Sequence, residues 1–244
     1  MRAFCLFAAA LTATSLSVAA CGDEDSPSSS PVVTGSAASV SPATDVVDAA
    51  ELQAALLPAG RGQSSLIGPR SGRYGSLRSS GKGSARPPAP GLDPRCEKGP
   101  GGPGQWPATL NGSPAAEVTH GPMMSSVSQT LVWVPKDADM AALRLSVPRV
   151  CTRKMTVKFQ GRTVIMSNRM LTKTQLPDLR GAEVTGTRLT MAMPDAGVSA
   201  YTTWVNARSG RLVMAMAFMG TDAGYTKQNK TLAQAWARAV AAVR

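Results

Sequence analysis

The chain has 244 residues, with 26 Lys and Arg against 15 Asp and Glu, and its formal net charge is +11 at neutral pH. This strongly basic balance predicts attraction to anionic surfaces and polymers. His120 is the one histidine and no Cys-x-x-Cys spacing occurs, which argues against a zinc-type site; we expect no metal and no other cofactor.

The first twenty residues have the layout of an export signal. Arg2 precedes an apolar run that begins at Ala3 and is soon diluted by threonine and serine. A membrane-spanning helix needs about 20 continuous apolar residues, and this run is shorter. We therefore interpret residues 1–20 as a signal peptide that is removed during export.

The junction LSVAACG, residues 16–22, resembles the bacterial lipobox, in which the cysteine is alkylated with diacylglycerol. The alternative is an ordinary signal peptide whose cleavage site happens to precede a cysteine. Two acyl chains anchor a protein stably, at about 0.8 kcal/mol per buried CH₂. We therefore expect a lipoprotein, lipidated at Cys21 and held on the extracytoplasmic face of the cell membrane.

Removal of the signal peptide takes away one arginine, so 25 basic residues face 15 acidic ones and the net charge is +10. A protein with this balance at a membrane surface is drawn to anionic lipid head groups or anionic cell-wall polymers. Nucleic acid is not an expected partner, because an exported lipoprotein rarely meets any.

The cysteines left after export and lipidation are Cys96 and Cys151. An oxidising exterior favours a disulfide between them. It would close a loop of about 56 residues and stabilise the fold by up to roughly 4 kcal/mol. A metal pair and a reactive thiol are the alternatives, and neither has support from neighbouring residues.

The N-terminal part of the mature chain divides into three segments. Residues 21–44 are rich in Ser, Pro, Ala and Thr without apolar periodicity, which predicts a flexible, disordered tether. Asp48 and Glu51 stand at capping-box spacing and open a short helix that ends at Pro58. Residues 59–95 are basic and rich in Gly, Ser and Pro; such a stretch cannot fill a core, and it predicts either a mobile loop or an edge strand around Leu66 and Ile67.

Regular patterns begin near residue 115. Strands are predicted at 127–134, in a hairpin at 155–166, at 188–193, and in a second hairpin formed by 199–206 and 211–219. Residues 212–219 are apolar on both faces, which predicts a central, covered strand. A helix is predicted from Asp137 to Val147, and an amphipathic helix from Tyr225 to Val243. The fold class is therefore α+β, an antiparallel sheet with helices packed on one face.

Several short motifs in this order resemble the PknH-like domain, the extracellular sensor domain of a mycobacterial serine/threonine kinase that also occurs in free actinobacterial lipoproteins. They are DAAEL (48–52), LLP (56–58), PRC (94–96), VSQTL (127–131), ADMA (138–141), VC (150–151) and RSGRLV (208–213). The resemblance covers residues 45–244. It implies an antiparallel sheet carrying helices and a groove that binds a small ligand. The family usually has four cysteines in two bridges, whereas this chain retains two, and any signal would have to pass through a partner.

No catalytic constellation emerges from the sequence. The run His120-Gly121-Pro122 reads as a turn, and a catalytic Ser-His pair is the less favoured interpretation. Methionines alternate along two predicted strands and are interpreted as core, with a pocket wall next and a copper(I) site last; they are Met191, Met193, Met214 and Met216.

The function predicted is a sensor-like binding module without catalysis, which takes an envelope ligand or partner. The alternatives are a lipid carrier of the cell envelope and, less favoured, an enzyme that acts on the cell wall. The basic series and the aromatic residues of the second hairpin supply the predicted ligand-binding residues: Arg153, Arg162, Tyr201, Trp204 and Arg211.

Overall fold

The computed structural model describes residues 47–60, 63–80, 96, 106–122, 125–159 and 161–243. Their main feature is one eight-stranded sheet with the spatial order β1-β2-β3-β8-β7-β6-β5-β4. The strands are β1 Ser65–Arg73, β2 Pro114–His120, β3 Val127–Trp133, β4 Met155–Phe159, β5 Arg162–Met170, β6 Glu183–Met193, β7 Val198–Ser209 and β8 Leu212–Gly220. All neighbouring strands are antiparallel.

The α-helices whose bounds lie within the described residues are α1 Ala49–Ala55, α2 Tyr74–Ser80 and α3 Thr226–Ala242. The predicted α+β class, the two hairpins and the terminal helix are confirmed. The capping box at the start of α1 is also confirmed, because Glu51 N donates to Asp48 Oδ1 and Asp48 N donates to Glu51 Oε2, each at 2.8 Å.

Strand β8 lies at the centre of the sheet, between β3 and β7, and five of its first six residues are buried. Alternation sends Met214 and Met216 to one face, where they pack against Leu232 and Trp236 of α3. We call this side the α3 face. Val213 points to the other side, the α2 face, which packs against α2. The prediction of a central strand covered on both faces is confirmed.

Helix α2 was not predicted, and it changes the expectation that helices cover one face. Its Tyr74 and Leu77 are 2% and 8% exposed and pack with Trp106 on the α2 face. Because β8 is apolar on both sides, both faces of the sheet centre need cover. The expectation that residues 59–95 cannot fill a core is therefore wrong for α2; residues 61–62 and 81–95 lie outside the described part of the chain.

The edge-strand interpretation of the same stretch is confirmed. β1 pairs with β2 along one side and forms one edge of the described sheet. Leu66 and Ile67 are 53% and 38% exposed, as expected for side chains on an edge strand.

The helix predicted at 137–147 is wrong. The chain forms a single 3₁₀ turn at Met140–Leu143, whose first residue is capped by Asp139. Side chains of β7 take the carbonyl groups that a helix would have used: Asn206 Nδ2 donates to Leu143 O at 2.9 Å and Arg208 Nη1 to Met140 O at 2.7 Å. Tertiary hydrogen bonds thus override the helical periodicity.

The predicted disulfide between Cys96 and Cys151 is present, with 5.4 Å between the two Cα atoms. Cys151 lies in a 3₁₀ turn, Arg149–Thr152, directly before β4, and is 2% exposed.

The signal peptide, the lipidation site Cys21 and the tether 21–44 lie outside the described residues. None of the helices in the described part of the chain is long and apolar enough to span a membrane.

Candidate functional site

A cleft of about 700 Å³ opens between α3 and the connection from α1 to β1. It lies on the α3 face, at the end of the sheet where β2 and β8 finish and β3 begins. Leu57, Pro58, Gly60 and Gln63 contribute one wall, and residues of α3 between Lys227 and Arg238 contribute another. Every strand that reaches the cleft is central or next to an edge of the described sheet.

The floor of the cleft is apolar. Phe218 of β8 and Val127 of β3 are cross-strand partners, and both line the cleft together with Leu57. Phe218 is 5% exposed. Phe218 continues the β8 stripe of Leu212, Met214 and Met216, which belong to the same apolar cluster. A ligand with an apolar portion would find contact there.

The wall at Leu57 is fixed by two buried polar side chains. Leu57 N donates to Gln129 Oε1 at 2.8 Å, and Leu57 O lies 2.8 Å from His120 Nε2. A carbonyl oxygen only accepts, so Nε2 carries the proton in this contact. Nδ1 of His120 lies 3.2 Å from Ser65 Oγ, and in the neutral ring it accepts from that hydroxyl. The backbone N–H and C=O groups of Leu57 are therefore both hydrogen-bonded to side chains of the sheet.

His120 therefore differs from its predicted place in a turn. It is the last residue of β2, it is 7% exposed, and the turn begins at Gly121 with φ of +88°. Its imidazole is engaged at both nitrogens. The ring nitrogen that does not face Ser65 binds a main-chain carbonyl, whereas in a Ser-His-Asp arrangement that second nitrogen binds a carboxylate. His120 serves as an anchor for the cleft wall.

The rim of the cleft is polar and carries more positive than negative charge. The positive charges belong to Lys227 and Arg238 of α3. The negative charge belongs to Asp222, the carboxylate among the described lining residues. Asp222 Oδ1 accepts from Gly224 N at 2.7 Å, and Arg238 Nη2 donates to Ala54 O at 3.1 Å. Gln63, Gln228, Thr231 and Gln234 add hydrogen-bonding groups around the rim.

The buried Arg188 of β6 holds the wall that leads from β8 into α3. Its guanidinium donates to Ala223 O at 2.5 Å, to Thr203 Oγ1 at 2.9 Å and to Gln228 Oε1 at 3.1 Å. It also stacks 3.8 Å above the ring of Tyr225. Arg188 is 2% exposed, and this burial lowers its pKa from the ordinary value for arginine.

The five predicted ligand-binding residues are not brought together, and none of them lines the cleft. Tyr201 lies on the α3 face, 5.4 Å from Arg188, whereas Trp204 lies on the α2 face. Side chains alternate between the two faces along a strand, so residues three positions apart point to opposite faces. Tyr201 and Trp204 therefore could not line one groove. Arg211 lies at the turn between β7 and β8, where its Nε donates to Val134 O at 2.8 Å.

The remaining two predicted residues lie far from Arg211 in the sheet. Arg153 precedes β4 and Arg162 begins β5, and both are exposed at the edge formed by β4 and β5.

The methionines are also divided between the two faces of the sheet. Met214 and Met216 belong to the α3 face, whereas Met191 and Met193 pair with Ala200 and Val198 on the α2 face. Among the described residues no cluster of three His, Cys, Asp or Glu could hold a metal ion.

The cleft residues that the sequence analysis missed carry one readable signal. Gln129 occupies the alternating position between Val127 and Leu131, which the pattern assigns to the apolar face of β3. It is 1% exposed. A polar residue at a core position needs a hydrogen-bond partner, so this glutamine could have marked a tertiary contact.

Comparisons with known proteins add the following. No protein-family profile and no curated protein matches this chain. It is similar to the solved extracellular domain of PknH from Mycobacterium tuberculosis, with 13% identity and a TM-score of 0.45, over 81% of this chain and 97% of that one. It is also similar to a putative uncharacterized protein from Mycobacterium smegmatis, with 15% identity and a TM-score of 0.43, over 80% and 94% of the two chains.

The PknH domain is the kind of domain that the sequence motifs resemble. At these scores, function has to be argued from the side chains of this chain.

Proposed function

We propose that this protein is a membrane-anchored, extracytoplasmic binding module whose cleft takes a small amphipathic ligand. The observation that carries the proposal is the cleft of about 700 Å³ with an apolar floor and a polar, net-positive rim. Ligand sites in proteins are typically concave, mostly apolar and fitted with a few orienting polar groups. This cleft has that composition.

The charges of the rim indicate which end of the ligand is polar. Lys227 and Arg238 outnumber Asp222 among the lining residues, so an anionic head group would lie against α3. The apolar part would lie over Phe218 and Val127. An uncharged hydroxylated head group could use the glutamine side chains of the rim instead.

The preference for a binding module over a lipid carrier rests on packing. A carrier would need an enclosed apolar cavity, whereas this cleft is open to solvent along its rim. Between α3 and the sheet, Leu232 and Trp236 fill the space above Met214 with exposures of 0%, 4% and 0%. The enzyme alternative is less favoured because a glycosidase-type mechanism needs two carboxyl groups facing one another, and Asp222 is the carboxylate among the described lining residues.

The location outside the cytoplasm is part of the proposal. It rests on the signal-peptide layout of residues 1–20 and the lipobox-like sequence that ends at Cys21. The Cys96–Cys151 disulfide supports it, because such bridges form and persist in oxidising compartments. Radiolabelled palmitate should enter the wild-type protein, whereas Cys21→Ala should be unlabelled and leave the membrane fraction. Labelling of both proteins would contradict the anchor.

The ligand itself can be sought by thermal shift. The full-length protein in detergent would be melted in the presence of envelope lipids and soluble cell-wall fragments. A ligand that binds the native state raises the melting temperature by mass action, by an amount that grows with its concentration. We expect a dose-dependent rise that is lost in Ala237→Trp, which places a bulky side chain in the cleft, and retained in Ala241→Trp, one turn further along α3. A rise of equal size in both variants would place the ligand elsewhere.

A further inference from the structure

A second surface with its own chemistry lies beyond the region that α3 covers. The apolar cluster beneath α1 and α3 takes its sheet residues from β2, β3, β6, β7 and β8, and among the described residues none from β4 or β5. Side chains of β4, β5 and the second half of β6 that point to the α3 face are therefore exposed or half-buried. We call them the open face: Thr156, Lys158, Thr163, Ile165, Ser167, Arg169, Thr190 and Ala192.

The open face is rich in hydroxyl groups and free of carboxylates. Four of its eight positions are serine or threonine and two are cations, Lys158 and Arg169, both exposed. The opposite side of the same strands is mostly apolar, with Val157 and Val164 buried at 3% and 9% exposure. The strict alternation therefore gives this half of the sheet one packed face and one polar, basic face.

Two arginines oppose one another at the margin of the open face. Arg169 of β5 and Arg188 of β6 are cross-strand partners, and like charges in such positions are destabilising. Arg169 Nη2 donates to Tyr225 Oη at 2.8 Å, and Arg188 stacks on the same ring. In the described part of the chain, neither guanidinium is within ion-pair distance of a carboxylate. The charge of Arg169 adds to the lowering of the pKa of Arg188 that burial causes.

We infer that the open face is a docking surface for an anionic polysaccharide. Carboxylate or phosphate groups of the polysaccharide would pair with Arg169 and Lys158. This pairing would relieve the repulsion between Arg169 and Arg188. Sugar hydroxyls would exchange hydrogen bonds with the serine and threonine side chains, which both donate and accept. From β4 to β7 the surface is roughly 14 Å wide at strand spacing, and Tyr201 on β7 offers an aromatic ring at its margin.

A membrane surface fits these residues less well. The exposed large apolar side chains of the described residues are Leu66, Ile67, Met170 and Met219, and none of them belongs to the open face. Met170 is the cross-strand partner of Thr187 and points to the α2 face. The apolar members of the open face, Ile165 and Ala192, are half-buried. Without exposed large apolar groups to insert, the face is suited to a hydrated, hydroxyl-bearing partner.

This docking surface is separate from the cleft. In sheet order the cleft lies at β2, β3 and β8, and the open face lies at β4, β5 and β6 on the other side of β7. The two sites share no lining residue, and each has its own variant: Ala237→Trp for the cleft and Arg169→Gln for the open face.

The test measures binding of the full-length protein in detergent micelles to immobilised polygalacturonate, with neutral dextran as reference, by interferometry at physiological ionic strength. The decisive comparison is Arg169→Gln against Arg162→Gln. Both residues are exposed on β5, both changes remove one positive charge, and the seven-residue spacing places them on opposite faces. We expect Arg169→Gln to weaken binding about tenfold, as for loss of one charge-assisted hydrogen-bonding group, with Arg162→Gln and Ala237→Trp close to wild type.

Three results would overturn the inference. Equal weakening by the two arginine variants would mean a non-specific charge effect. Equal binding to neutral dextran, or no binding to polygalacturonate, would exclude an anionic glycan. Arg169→Gln could instead leave the binding to polygalacturonate unchanged and weaken only the binding of the protein to micelles that contain phosphatidylglycerol. In that case the occupant would be the membrane.

Discussion

Gln129 and Leu57 lie 72 positions apart in the sequence and are joined by a 2.8 Å hydrogen bond, in which the side-chain carbonyl accepts from the backbone N–H. His120 binds the carbonyl group of the same leucine. Two neighbouring strands, β2 and β3, thus position the wall of the cleft with two buried polar side chains. These contacts fix the position of Leu57 in the wall of the cleft.

Gln129→Leu should lower the free energy of unfolding. The change leaves Leu57 N–H without its acceptor in a partly buried position, which costs about 1–3 kcal/mol. Urea denaturation of the full-length protein measures this loss. The same replacement at the exposed Gln234 of α3 should change stability by less than about 0.5 kcal/mol. If the two variants were equally stable, Gln129 would not be the anchor of the wall.

Arg188→Met should loosen the segment between β8 and α3. The variant loses three hydrogen bonds and the stacking on Tyr225, while it gains from no longer burying a charge. We expect a net destabilisation of about 1–3 kcal/mol, together with faster amide hydrogen exchange at Gly224 and Tyr225. Arg180→Met, at an exposed position before β6, is the control. Amide hydrogen exchange at Gly224 and Tyr225 that is unchanged in Arg188→Met would refute the role of Arg188 in holding this wall.

Tyr74→Phe should be neutral or stabilising. Tyr74 is 2% exposed in the core of the α2 face, and its hydroxyl has no hydrogen-bond partner in the described part of the chain. Burial raises the pKa of Tyr74 to about 12, so the group stays uncharged at neutral pH. Removal of an unpaired buried hydroxyl should change stability by about 0 to +1 kcal/mol, whereas Tyr74→Ala should cost about 3–5 kcal/mol. A large loss in the phenylalanine variant, measured by thermal denaturation, would reveal a partner for the hydroxyl.

Glu183 should contribute to stability at neutral pH and lose that contribution in acid. Its carboxylate binds Arg208 and Arg144, and these contacts, the Arg208 hydrogen bond first, lower its pKa. A lowered pKa in the folded state means that the stabilisation is present above the unfolded-state pKa and is lost as pH falls through the folded value. Glu183→Gln should therefore be less stable than wild type by at most about 1 kcal/mol at neutral pH. The difference should shrink below about pH 4; a difference that grew in acid would contradict the assignment.

Local periodicity was sufficient to predict much of this fold. β3, the two hairpins, α1 and α3 follow from alternation, capping and helical spacing within each segment. Helix α2 could not be found this way, because Tyr74 and Leu77 are its two large apolar residues within a stretch rich in Gly, Ser and Arg. The helix expected after Asp137 failed because Asn206 and Arg208, about 65 residues later, take its carbonyl groups.

The candidate site was beyond the reach of the same reasoning. The cleft is assembled from the α1–β1 connection, the ends of three strands and α3, and no single segment carries its pattern. The aromatic residues Tyr201 and Trp204 suggested one groove from their closeness in sequence, yet the pleat sends them to opposite faces. The buried polar residues Gln129 and Arg188 break the local pattern, and their partners are distant in sequence.

The most direct test of the binding proposal is native mass spectrometry of the full-length protein purified from its own membranes. We predict that wild type and Ala241→Trp carry a small co-purified molecule and that Ala237→Trp, with its cleft obstructed, does not. A wild-type protein that carries no bound molecule, or the same adduct on Ala237→Trp, would contradict the assignment of the cleft as a binding site.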